Sequence, residues 1–101
     1  MELVLDRHIE ITPEVRGGRP RIAGTRITVA DIVIMHLRLG QSLEEIAGRY
    51  ALELAALYAA MAYYHDHRPG IEESIAADEA YAEAFQRSNA SPLQAKLDVL
   101  R

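Results

Sequence analysis

The chain contains no cysteine and no tryptophan, and its aromatics amount to five Tyr and one Phe. Without cysteine there is no disulfide framework and no thiolate nucleophile or metal ligand, which fits a reducing compartment. No apolar run approaches the ~20 residues that span a bilayer. The first residues, MELVLDRHIEI, lack the basic start and long apolar stretch of a signal peptide. A cytoplasmic protein is expected, with no membrane association. Catalytic machinery is equally scarce. No Ser or Thr stands in a nucleophile motif, and the acids form no general acid–base pattern. The glycines match neither GK[ST] nor G-x-G-x-x-G. The expectation is a protein with no cofactor, no metal and no reaction of its own.

What is present is one domain's worth of chain, 101 residues of which 50% are apolar, enough for a single thin core. The net charge of −4 is unevenly spread. Between Arg16 and Ala30 stand Arg16, Arg19, Arg21 and Arg26 with no acid, whereas Asp66 to Glu83 is rich in acids. A basic front and an acidic back suit charged partners, charges satisfied within a dimer, or an ordinary solvated surface.

Residues 8–27 alternate apolar and polar side chains, which predicts one or two small β-hairpins. Gly17, Gly18, Pro20 and Gly24 punctuate this stretch and are expected to shape its turns. Helical signals follow. Thr28-Val29-Ala30-Asp31 is an N-terminal capping pattern, with apolar positions 29, 32, 33 and 37 behind it and Gly40 as the stop. Ser42-Leu43-Glu44-Glu45 is a second capping box, with Leu43, Ile46, Ala47 and Tyr50 on one face. A third helix carries Leu54, Leu57, Tyr58, Met61 and Tyr64 or His65 as its stripe, and Pro69-Gly70 ends it. Ala51-Leu52-Glu53 holds no Gly or Pro, but the apolar stripe changes phase there, so a break is favoured over one long helix. A fourth helix is predicted over residues 70–87, with Ile71, Ile75, Ala82 and Phe85 as its apolar side. Ser91-Pro92 then starts a short helix faced by Leu93, Leu97 and Leu100. The expected fold class is mainly α: a short N-terminal β-hairpin segment, a three-helix helix-turn-helix-like core and a C-terminal helical extension. The division is placed between residues 1–69 and 70–101.

Two features ask for partners. The four arginines of the front suit phosphate contacts or a minor groove. The third helix, which would enter the major groove of a helix-turn-helix protein, has no basic residue before Arg68 and is poorly equipped to read bases. Leu93, Leu97 and Leu100 need cover, either by folding back on their own domain or in a groove of another chain. Tyr64-His65-Asp66-His67 offers two imidazoles, but residues two apart point about 200° apart on a regular helix and do not share a metal there.

The segments GGRPRIAGTRITVADI, LGQSLEEIAGRY and YAAMAYYHDH occur in this order. Together they resemble the bacterial domain of unknown function 433 family, over about His8 to His67. The GG-x-P-x-I-x-GTRI pattern is the most specific part. The resemblance implies a homeodomain-like, winged-helix-related core behind a short β segment, and a likeness to VapB-type antitoxins encoded beside a PIN-like nuclease. On that basis the expected function is an antitoxin that binds and silences a PIN-like nuclease toxin and represses its own operon. Arg16, Arg19, Arg21 and Arg26 would face operator DNA, Leu93, Leu97 and Leu100 would face the toxin, and the protein would be a homodimer. The alternative is a stand-alone DNA-binding regulator.

Overall fold

The computed structural model describes residues 7–88. The expected leucine-faced helix, with Leu93, Leu97 and Leu100, lies outside the described residues. The chain begins with β1 (Ile9–Glu10), which pairs antiparallel with β2 (Arg21–Ile22) in the register Ile9 to Ile22 and Glu10 to Arg21. Four helices follow: α1 (Val29–Val33, continued by a wider turn over Ile34–Arg38), α2 (Leu43–Tyr50), α3 (Leu54–Asp66) and α4 (Arg68–Ser88). The mainly helical fold behind a short hairpin is as expected from the sequence.

Between the two strands the backbone makes a left-handed turn. Arg16, Gly17 and Gly18 have φ of 50°, 68° and 78° in succession. Such backbone is costly for residues with a Cβ and open to glycine, which accounts for the Gly17-Gly18 pair. After β2, the Thr25 N–H donates to the Ile22 carbonyl at 3.0 Å, closing a four-residue turn whose third position, Gly24, needs φ of 79°. Pro20 has no N–H to pair, but its carbonyl accepts from Val29 N at 2.9 Å and so ties the strand to the start of α1.

Both capping boxes form. Thr28 Oγ1 accepts from Asp31 N and the Asp31 carboxylate accepts from Thr28 N, both at 3.0 Å. Ser42 and Glu45 repeat the arrangement at α2, at 3.0 and 2.8 Å. The Ser42 N–H holds the Glu45 carboxyl below its usual range, with the Ser42 hydroxyl as the next cause. The break between α2 and α3 is made without glycine. Ala51 takes the left-handed conformation, φ 56° and ψ 46°, and both it and Leu52 donate to the Ala47 carbonyl. This is a Schellman-type stop, and Leu52 packs against the core as such stops require.

The core gathers Ile22, Val29, Ile32, Val33, Leu43 and Ile46 with Ala56, Leu57, Ala60 and Tyr64 of α3 and Ile71 and Ile75 of α4. Four expectations need correction. In α1 the last turn is closed by Leu39 N donating to the Ile34 carbonyl, five residues back, and this widening carries Leu37 out to 51% exposure. In α3 the buried face runs through Ala56, Leu57, Ala60 and Tyr64, so Leu54 and Tyr58 are on the outside. The small alanines let α1 and α3 approach closely. At the other end, Pro69-Gly70 opens α4 rather than only ending α3, because proline is tolerated in a helix's first turn. Ile71 and Ile75 join the core as expected, while Ala82 and Phe85 are exposed. The core therefore continues across the expected 69/70 boundary.

Two substitutions test this backbone reading. Gly48 lies inside α2 with open space around its Cβ position. Gly48→Ala should stabilise the fold by about 1 kcal/mol through helix propensity. Ala51→Gly relieves the left-handed strain, worth ~1–2 kcal/mol, against a smaller entropic loss. Both should raise the thermal midpoint, measured by circular dichroism.

Candidate functional site

The arginine-rich front was the first candidate surface, and the structure engages three of its four arginines in contacts within the chain. Arg21 is 5% exposed. Its Nε donates to the Thr25 carbonyl and its Nη2 to Glu10 Oε2, both at 2.8 Å. The same Glu10 oxygen accepts from Gly24 N at 2.9 Å. Thr25 Oγ1 donates to the Ile22 carbonyl and accepts from Ile27 N, at 2.9 and 3.0 Å. Hairpin, turn and guanidinium thus form one closed hydrogen-bonded unit. Among the described residues, the Arg21 Nη1 is the one buried side-chain nitrogen or oxygen without a partner.

Arg16 and Arg19 are also engaged. From the left-handed turn, Arg16 donates to the Arg26 carbonyl at 2.8 Å and reaches the Asp31 carboxylate of the α1 capping box at 3.4 Å. Arg19 makes a forked ion pair with Asp78 of α4, one arm at 2.7 Å and the other shorter. That hydrogen bond pulls the Asp78 carboxyl below the usual carboxylate range and raises Arg19. Arg26 is exposed, and its side chain makes no ion pair or hydrogen bond among the described residues. Of the four expected nucleic-acid contacts, Arg21 is thus turned away from any phosphate, Arg16 and Arg19 are occupied at its rim, and Arg26 alone stands open.

On the other side of α4, Arg38 pairs with Glu79 and lies 3.7 Å from Glu72, whose carboxylate also accepts from the buried Tyr64 hydroxyl. That bond, then burial, raises the Tyr64 pKa. The inner part of α4 is therefore held by Ile71 and Ile75 in the middle and by an arginine on each flank. A cleft of about 300 Å³ opens between Arg19, Pro20 and Thr28 on one wall and Tyr63, His67 and Ser74 on the other. His67 stacks on Tyr63 with ring centroids 4.0 Å apart, and its Nδ1 is 3.0 Å from the Tyr63 carbonyl. A carbonyl only accepts, so Nδ1 carries the hydrogen. His65 and Asp66 are exposed, and among the described residues no group of three or more His, Cys, Asp or Glu is placed to hold a metal ion.

From Ala76 to Arg87 every residue of α4 is exposed. Its outer half carries Tyr81 at 73% and Phe85 at 54% exposure, stacked on each other with centroids 6.4 Å apart. Sequence periodicity marked Phe85 as apolar but assigned it to a core-facing side. Tyr81 was missed altogether, because its exposure follows from where the core ends rather than from spacing. The face of α3 left open, with Leu54, Tyr58 and His65, carries no lysine or arginine.

Residues 9–64 match the model of a family described as protein of unknown function, DUF433. The chain belongs to the DUF433 family. A crystal structure of a DUF433 member protein from Anabaena variabilis ATCC 29413 is 36% identical in sequence, with a TM-score of 0.63, and the likeness covers 71% of each chain. No curated protein matches. The matched span of this DUF433 chain runs from β1 to Tyr64, and so takes in the Glu10–Arg21 unit and both capping boxes. The acids of α4 that hold Arg19 and Arg38, and the Tyr81–Phe85 face, lie beyond it.

Four outcomes follow. Arg21→Gln should cost about 2–3 kcal/mol in urea unfolding, because it breaks a largely buried charged hydrogen bond and leaves Glu10 and the Thr25 carbonyl short of a donor. Arg26→Gln should leave stability within about 0.5 kcal/mol of the parent. Asp78 should titrate below the reference value of about 3.9 when followed by carboxyl NMR. Its ion pair contributes stability that is present above that value and lost as the pH falls through the lowered one. Arg19→Lys, which gives up the forked geometry, should move the Asp78 midpoint upward.

Proposed function

We propose that this DUF433 protein is a non-catalytic binding module of the antitoxin type, which holds and inhibits a PIN-like nuclease through the outer half of α4 and the leucine-bearing residues that follow it. The observation that carries this reading is the exposed Tyr81–Phe85 pair on a helix that has run past its own core. Burying such a side chain is worth ~1.5–3 kcal/mol, so a helix presenting two of them gains from a partner's groove. Isolated helices of this length are marginal in water, and a groove supplies the packing that residues 76–88 lack. The link to a nuclease, rather than to any other protein, rests on the family resemblance.

The test is co-expression of the tagged chain with its native operon neighbours, followed by affinity purification. A stoichiometric small nuclease is the expected result. Tyr81→Ser with Phe85→Ser should lower its retention at least tenfold, while the thermal midpoint of the free protein stays put because neither residue is in the core. Undiminished nuclease binding by that variant would overturn the assignment of the face, and the lack of any nuclease partner would overturn the antitoxin reading itself.

Operator DNA is a second reading, supported by the open guanidinium of Arg26. With Arg21 buried and Arg16 and Arg19 paired, few phosphates are within reach of the front. The dependence of log K on log salt has a slope near −0.9 for each phosphate neutralised. Binding carried by Arg26 alone gives a slope of about −1, and binding by all four arginines about −4, which a filter-binding titration separates.

A further inference from the structure

The two halves of α4 complement each other. At about 100° per residue, Phe85 stands within about 20° of Ser74 and Asp78 around the helix, and Tyr81 within about 20° of Gly70 and Ser74. One side thus runs the length of the helix. Its C-terminal half is bulky, with the exposed rings of Tyr81 and Phe85. Its N-terminal half is hollow, with Gly70, Ser74 and Ala77. Beside the hollow half lies the cleft of about 300 Å³, and Pro20, Ile71 and the stacked Tyr63 and His67 rings among its walls suit an aromatic ring. Gly70 has no explanation within the chain. Its backbone is not left-handed, and a Cβ added there would meet nothing within 4 Å, so alanine would serve the helix better.

The bulky and hollow positions match in spacing. Gly70 and Phe85 are centred on the point between Ala77 and Asp78, and so are Ser74 and Tyr81. An antiparallel two-fold through that point sets Phe85 of each copy against Gly70 and the cleft of the other, and Tyr81 against Ser74 of the other. Charge agrees with this pairing. Asp78, beside the axis, is already neutralised by Arg19. Glu73 and Arg87 stand on one flank, about 80° and 120° from Tyr81, toward opposite ends of the helix. Antiparallel packing brings the acid of one copy toward the cation of the other. Among the described residues Glu73 has no ion pair, and Arg87 has a 3.9 Å contact with Glu83 of its own helix. Two aromatic side chains, at 150–250 Å² each, supply about 300–500 Å² of the ~800 Å² that each partner brings to a standard interface.

We propose that the protein forms a two-fold dimer in which the α4 helices pack antiparallel, Phe85 of each copy filling the cleft beside Gly70 of the other and Tyr81 resting on its Ser74. The pair is made by this chain alone and does not rest on the antitoxin reading. A nuclease that takes the Tyr81–Phe85 face displaces the second copy. In dilute solution the chain is a monomer whose thermal midpoint the two rings do not set, whereas dimerisation raises the midpoint with concentration.

The chain's lack of cysteine lets single thiols report the register. Ala77→Cys places a thiol beside its own copy at the axis. Ala76→Cys, also exposed and about 100° around the helix, is the control. Under mild oxidant Ala77→Cys should form the interchain disulfide at least tenfold faster than Ala76→Cys, and equal rates would overturn the arrangement. In sedimentation equilibrium at high micromolar concentration the unsubstituted chain should have the mass of two copies. Gly70→Leu, which fills the cleft from the hollow side, and Phe85→Ser, which removes the ring, should each raise the dimer dissociation constant at least tenfold with the circular dichroism of the monomer unchanged. A monomeric parent, or a dimer that both variants leave intact, would overturn the proposal, and neither readout involves a nuclease.

Discussion

The buried guanidinium of Arg21 is the constraint on which the rest of this small fold depends. It is a permanent charge at 5% exposure in a chain with a thin core, and such a group is costly unless it is paired and hydrogen-bonded. The Glu10 carboxylate accepts from Nη2 and the Thr25 carbonyl from Nε, leaving Nη1 without a partner, and these bonds join β1, β2 and the turn at Gly24 into one unit. That unit fixes where Pro20 offers its carbonyl to Val29, and so where α1 begins. From the start of α1 the order propagates: Thr28 and Asp31 cap the helix, Arg16 reaches the same carboxylate, and Ile32 and Val33 are set into the core against α3. A two-stranded hairpin of four paired residues would be marginal by itself. Here side-chain hydrogen bonds supply what the short ladder lacks.

The arginines of the glycine-rich stretch therefore have a different meaning from the one their clustering suggested. A run of like charges without acids usually reads as an interaction surface. In this chain the acids are supplied from a distance: Glu10 from the preceding strand, Asp31 from the first helix turn, and Asp78 from fifty-nine residues on. The charge asymmetry between the basic front and the acidic back is in part the two halves of one intramolecular clamp. Arg19 and Arg38 grip α4 from opposite sides, and this orients the helix so that its outer half leaves the body at a set angle, presenting Tyr81 and Phe85.

Features that depend on neighbours in sequence were legible before the structure. The capping boxes at Thr28 and Ser42 and the turn at Gly24 each rest on hydrogen bonds spanning a few residues, so local residue type reveals them, whereas the break near Ala51 showed only in the phase change of the apolar stripe. The buried faces were less legible where volume, rather than hydrophobicity, decides. Ala56 and Ala60 outrank Leu54 and Tyr58 in α3 because close approach to α1 needs small side chains. Leu37 has helical spacing but lies within a turn closed by a five-residue hydrogen bond, which shifts the phase by more than periodicity can register. The partners of the arginines were invisible for the simplest reason: ion pairs between residues 19 and 78 or 38 and 79 leave no trace in spacing. For the same reason the open face of α4 emerged only when the extent of the core was known.

The left-handed turn at Arg16–Gly18 separates two reasons for keeping a glycine. A Cβ added at Gly17 would meet nothing within 4 Å, so the position is empty in the ordinary sense of volume. What excludes other residues is handedness, since φ there is 68°. A D-amino acid would enter this position without strain while its mirror image, the natural L form, would not. The glycine pair accordingly records the chirality of a backbone path rather than a need for space at Gly17.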